Sequence, residues 1–253
     1  MISEIFAFGS SPVHLLDPRI RVMFAVLFSV VTAVSDRFPT VCLALLMALA
    51  LPVLARLPLR PVLTRLFIVN GLVLFIWLVL PWSYEGTPVF SMGPLVISRE
   101  GIGLSALITI KSNAIVLALI AMVATMPVAV LGQALDRLHI PEKLVHLLLI
   151  TYRYIFVIES EYHQLLRAAR IRSFTPRTDL HTYKTYAYLL GMLFVRAAAR
   201  GERVHQAMIC RGFNGKFLCL YNFAIKQGDL VWMLVMATGL IGLGVLEWAP
   251  VIW

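Results

Sequence analysis

Two seven-residue stretches carry the clearest chemistry in this chain. One reads Ala168-Ala169-Arg170-Ile171-Arg172-Ser173-Phe174, the other Ala207-Met208-Ile209-Cys210-Arg211-Gly212-Phe213. Both follow one pattern: alanine, three residues, arginine, a small residue, phenylalanine. An arginine presents a planar fork of donors that can hold a carboxylate through two parallel hydrogen bonds. A single arginine in the last turn of a helix is accounted for by the helix dipole and the free carbonyls there. The same pattern at the ends of two neighbouring helices is harder to assign to capping. Arg172 and Arg211 at two exposed tips suit a docking site for two copies of one partner.

Other chemistries find less support. The six histidines are scattered, His139 and His146 straddle Pro141, and no His or Cys pair at a spacing of four faces another. Cys42, Cys210 and Cys219 lack metal or redox spacing and read as small apolar fillers. No glycine-rich loop with a lysine is present to cradle phosphates. A membrane enzyme would need clustered carboxylates, a nucleophile with its base, or a metal motif, and none occurs. A stand-alone carrier would show matching halves with interrupted spans, and no such symmetry is visible. Lys111 stands alone in an apolar run and reads as a snorkelling side chain or a salt link within a bundle, although an intramembrane cation is also a functional flag.

The elements that position the two arginines are helices. Pro141 suits a first helical turn, and the helix it opens runs to about Arg172, apolar in its first half and amphipathic in its second. Residues 173–177 break it. A second long helix covers 183–211, with an apolar stripe through Tyr186, Leu190, Leu193, Phe194, Ala197, Val204 and Met208; Arg196, Arg200 and Arg203 read as lying off that stripe. Gly212 follows as a C-cap. A shorter amphipathic helix precedes them at 127–139.

The rest of the chain is too apolar for a soluble fold. Hydrophobic residues make up 60% and charged residues 14%, an excess that a compact soluble domain cannot bury. Residues 38–55, 66–81 and 230–246 hold no charge, and 102–126 holds only Lys111; runs of about 17–25 residues are what a membrane crossing needs. A shorter span at 22–34 precedes them, a kink is expected at Pro52, and residues 82–100 read as an external loop. No cleavable signal sequence is evident in the first twenty residues, which hold Glu4, His14, Asp17 and Arg19. With the N-terminus inside, nineteen of the twenty-two Lys and Arg residues fall on the inner side, leaving Arg37 and Arg99 outside and Lys111 in a span. Residues 127–227 hold fourteen basic and six acidic residues, placed at helix ends and membrane-proximal positions rather than along a nucleic-acid groove. The fold class is therefore an all-α membrane protein: transmembrane helices in 1–126, a cytoplasmic lobe of amphipathic coupling helices in 127–227, and a last span in 228–253, about five spans in all. Trp248 and Trp253 read as interfacial anchors.

The paired endings resemble the two Ala-Arg-Gly signatures of the transmembrane T component of energy-coupling factor (ECF) transporters. The segments His14-Leu-Leu-Asp-Pro-Arg19, Glu100-Gly-Ile-Gly103, Thr151-Tyr-Arg-Tyr-Ile-Phe-Val157 with Glu159 and Glu161, and Glu202-Arg-Val-His-Gln-Ala-Met208 agree with it. The likeness is densest from 141 to 215 and looks closest to CbiQ, the T component of cobalt uptake, and to its nickel counterpart. The signature cores here are Ile171-Arg172-Ser173 and Cys210-Arg211-Gly212; a serine replaces glycine in the first, which matters only if the backbone there needs positive φ. The resemblance implies a non-catalytic scaffold in the cell (inner) membrane. Two copies of a cytoplasmic ABC-type ATPase (CbiO-like) would dock on the signatures and bind ATP and Mg, so that no cofactor sits on this chain. A membrane metal-binding S component (CbiM-like), with a small accessory subunit (CbiN-like), would carry the substrate. A T component for a vitamin is the alternative within the family.

Overall fold

The computed structural model describes residues 11–84, 87–92, 95–213 and 227–248. Glu4, Glu85, Gly215, Cys219 and Trp253 lie outside the described residues. Two compact units divide the chain, one of residues 3–134 with 223–253, the other of 135–222 with the first two residues.

The first unit is a helical bundle. A short helix, α1 (Pro12–Leu15), precedes α2 (Pro18–Val34), which Asp17 caps by accepting the Arg19 N–H at 2.9 Å. Then come α3 (Phe38–Leu54), with Pro52 inside it, and α4 (Leu59–Ser83). Arg60 and Arg65, which precede the uncharged run from 66 to 81, lie within α4: Pro58 is its N-cap and Pro61 falls in its first turn, where proline is tolerated. The segment read as a plain loop holds a two-stranded antiparallel hairpin, β1 (Pro88–Met92) and β2 (Leu95–Ser98), in register Met92↔Leu95. The helix α5 (Arg99–Met122) starts where the Ser98 hydroxyl accepts the Gly101 N–H at 3.1 Å, and Glu100 accepts the Thr87 N–H at 2.8 Å. The helix α9 (Gln227–Trp248) completes this unit.

Small residues bring these helices together. Ala44 and Ala48 of α3 and Ala114, Ala118 and Ala121 of α5 are fully buried, around Phe24, Phe28, Met122 and Leu243. Where dispersion and polar contacts must replace the hydrophobic effect, such close backbone approach is the expected mode of packing. Polar links add to it. Asn70 and Asn113 exchange amide hydrogen bonds at 3.0 and 2.9 Å, and the Trp77 indole donates to the Thr109 hydroxyl at 2.8 Å. The Lys111 ammonium lies 3.0 Å from the Asp36 carboxylate and donates to the Ala33 carbonyl, so it forms a salt link to an exposed side chain in the turn between α2 and α3. Arg21 is buried; its Nε donates to the Met122 carbonyl at 3.1 Å and its guanidinium to the Thr125 hydroxyl, closing the C-terminus of α5.

Among the described residues three helices are long and apolar enough to cross a membrane: α4, α5 and residues 228–248 of α9. The expectation of about five spans rested also on α2 and α3. Each has 17 residues, the lower end of the roughly 17–25 that a crossing takes.

Gly101 lets the start of α5 pack closely on the end of α4. A Cβ there would lie 2.9 Å from the Pro81 Cα and 3.0 Å from the Leu80 oxygen, whereas one at Gly103 would meet nothing within 4 Å. Gly101→Ala should therefore destabilise the bundle by about 1–3 kcal/mol, the usual range for overpacking. Gly103→Ala should be near neutral. Thermal unfolding in detergent compares them, and equal midpoints would refute the assignment.

Candidate partner-docking site

The second unit is built on two long helices, α7 (Glu142–Ile171) and α8 (Leu180–Cys210), preceded by α6 (Val128–Arg137). The pairing of α7 with α8 is antiparallel along its length. At the connecting corner the Phe174 and Tyr186 rings meet edge to face with centroids 5.6 Å apart. Midway, Glu161 and Arg200 form an ion pair. At the far end the His146 and Phe213 rings meet with centroids 5.3 Å apart, tilted by 31°, and burial lowers the His146 pKa. Since α7 has 30 residues, about 45 Å of helix, the two endings stand at opposite ends of the hairpin.

The two endings are alike in backbone as well as in sequence. After α7, the Ser173 N–H bonds the Arg170 carbonyl at 3.0 Å and the Phe174 N–H bonds the Ala169 carbonyl at 3.1 Å. After α8, the Gly212 N–H bonds Ile209 at 2.9 Å and the Phe213 N–H bonds Met208 at 3.0 Å. The long bond from C″ to C3 is the mark of a Schellman cap, which needs a left-handed residue at C′. Ser173 has φ 64° and Gly212 φ 77°. The backbone at the serine thus does require positive φ, a conformation that costs an L-residue roughly 1–2 kcal/mol. Ser173→Gly should stabilise the α7 end by about 0.5–1 kcal/mol once the entropy of the unfolded chain is counted. Slower amide exchange across residues 168–174 would show it; faster exchange would contradict it.

These caps satisfy the last carbonyls with backbone donors, which leaves the arginine side chains unused. Arg172 and Arg211 are exposed, as are Ile171, Ser173, Cys210 and Gly212. Among the described residues neither guanidinium makes a hydrogen bond or an ion pair. The phenylalanines do the opposite: each turns inward onto the start of the other helix and fixes the tip that its arginine occupies.

The apolar stripe of α8 divides in two. Leu193, Ala197, Val204 and Met208 are half-buried, while Leu190 and Phe194 are exposed, Phe194 by 74%. Arg200, read as off the stripe, belongs to its inner part: it stands three residues after Ala197 and four before Val204, and its charge is taken up by Glu161, whose residue is 9% exposed. Spacing alone would have placed it there. A cavity of about 280 Å³ lies beside this pair, lined by Ile150, Tyr154, Ile158, Gly201 and Val204 among others.

Known proteins resemble the chain over most of its length. The profile of the CbiQ family, described as cobalt transport protein, matches residues 9–218. The energy-coupling factor transporter transmembrane protein EcfT of Bacillus subtilis is 26% identical over 249 residues, 92% of this chain and 90% of that protein. The EcfT of Listeria innocua is 26% identical over 82% of each chain. An uncharacterised protein of Methanocaldococcus jannaschii is 24% identical over 87% of this chain and 77% of its own length. With the family profile spanning both helical endings and all but the last span, the chain belongs to the CbiQ family and is a multi-pass membrane T component of the energy-coupling factor type.

Proposed function

We propose that this chain is the scaffold of a transition-metal importer, in which Arg172 and Arg211 each dock one copy of a cytoplasmic ABC-type ATPase. One observation carries the reading: two helix caps alike in hydrogen bonding and positive φ, each presenting an arginine without a partner among the described residues, stand at opposite ends of one antiparallel hairpin. Identical sockets on two identical subunits call for that duplication. The ATPases supply ATP hydrolysis, with Mg and nucleotide bound on them. A separate membrane S component (CbiM-like), with a CbiN-like accessory subunit, supplies metal recognition. Cobalt is the favoured cargo and nickel the second, on the strength of the family's description. The chain itself performs no catalysis.

Co-purification with the neighbouring subunits, followed by cobalt and nickel uptake in vesicles, tests this. Two ATPase copies per chain and metal uptake dependent on ATP are expected. ATPases that bind while neither metal is carried would point to a vitamin cargo, and no bound ATPase would remove the scaffold reading.

The charge distribution orients the chain with its N-terminus and residues 127–227 in the cytoplasm and its C-terminus outside. A reporter fused after Trp253 should be active only when it functions on the external side. Cytoplasmic activity alone would reverse the topology.

A further inference from the structure

The hairpin carrying the two docking arginines has little core of its own. On α7 only Val145, Glu161 and Leu165 are buried, and on α8 only Thr182. The contacts between the helices include the two signature phenylalanines at the ends and the Glu161–Arg200 ion pair between them. The pair occupies a particular place. Glu161 precedes Arg172 by eleven residues, and Arg200 precedes Arg211 by eleven residues. Each docking arginine therefore stands about 16 Å of helix from the pair. Because the helices are antiparallel, the two arms are related by an approximate two-fold axis through the ion pair, and the same rotation exchanges Phe174 on Tyr186 with Phe213 on His146.

The geometry points to Glu161 and Arg200 as a positioning pair, the fulcrum that holds two equal arms at a fixed separation while two symmetric ATPases act on their tips. This deepens the docking reading and rests on it. The strength of an ion pair is not what recommends it. A half-buried pair contributes little net stability against an apolar replacement, and its best-attested use is to fix register. One register here places both arginines at equal distance from the pair. An apolar contact would let α7 and α8 slide, since alternative packings of such sparse surfaces differ little in energy. The cavity of about 280 Å³ on the Arg211 side of the pair leaves room for that arm to close without disturbing the fulcrum.

The test uses the whole complex with its ATPases and S component. Glu161→Gln and Arg200→Gln should keep both ATPases on purification and keep ATP hydrolysis. Metal uptake per ATP hydrolysed should fall by about tenfold, at the upper end of coupling changes seen for residues that touch neither ligand. Spin labels attached through a genetically encoded ketone amino acid at Arg167 and Gln206, equivalent exposed positions outside the two signatures, should report a narrow distance distribution in the parent and a broad one in both single variants. The exchanged pair, Glu161→Arg with Arg200→Glu, should restore the narrow distribution and the uptake ratio. Single variants that match the parent in both readouts would overturn the fulcrum while leaving docking intact. If the single variants fail to accumulate, an exchanged pair that accumulates normally but stays uncoupled would overturn it as well. Absence of ATPases from the parent complex would instead remove the docking reading beneath it.

Discussion

The variant lacking both docking arginines, Arg172→Ala with Arg211→Ala, should reach the membrane in normal amount and lose its ATPase subunits on purification. Each arginine held by charge-assisted hydrogen bonds would cost about 2–5 kcal/mol on removal, part of it from the partner carboxylate left unpaired. Loss of one weakens one contact while the other still retains a subunit, so each single variant should lower ATP-driven uptake strongly without emptying the complex. Lysine should rescue poorly at either site, because a point charge does not reproduce the planar fork. The caps themselves should survive. Their carbonyls are satisfied by the N–H groups of Ser173, Phe174, Gly212 and Phe213, so folding does not depend on the guanidinium groups. ATPases retained by the double variant, together with normal uptake, would end the scaffold reading.

The long helices were legible because their punctuation is local. Pro141 before α7, the Ser173–Pro176 break after it, and Gly212 after α8 act within a few residues, and each observed boundary lies within three residues of the expected one. The equivalence of the two endings was likewise legible, because a Schellman cap is written in consecutive residues. Features that depend on a distant partner were not. The start of α4 at Leu59 precedes the uncharged run from 66 by seven residues, because the helix carries Arg60 and Arg65 in its first two turns. The hairpin of β1 and β2 escaped because Gly, Pro and Ser in that segment pointed to a loop, and strand pairing adds no helical or amphipathic period to find. Arg200 has the spacing of the inner stripe, but its neutralising partner is not written near it. Its partner is thirty-nine residues earlier, and only the antiparallel register of α7 and α8 brings Glu161 to it.

The division of the α8 stripe leads to a contrast between adjacent residues. Ala197 is half-buried and lines the cavity beside Ile158, Glu161 and Arg200. A glutamate there would lose much of its hydration, compete for the Arg200 guanidinium three residues on, and repel Glu161. Burying a third, unpaired charge beside this half-buried pair costs about 1–3 kcal/mol, which is large for a hairpin with four buried side chains. Ala197→Glu should therefore separate α7 from α8, seen as fast amide exchange along both helices in the purified complex, with loss of uptake. Leu193→Glu, on the same inner face, should act in the same direction. Phe194→Glu changes a side chain that is 74% exposed, so exchange within the hairpin should stay as in the parent, as surface substitutions usually shift stability by about 0.5 kcal/mol or less. Its effect should fall instead on assembly, because an aromatic side chain left open on this face has no partner within the hairpin to lose. Equal protection in the Ala197→Glu and Phe194→Glu chains would show that the inner and outer halves of the stripe have been wrongly divided, and the Glu161–Arg200 contact with them.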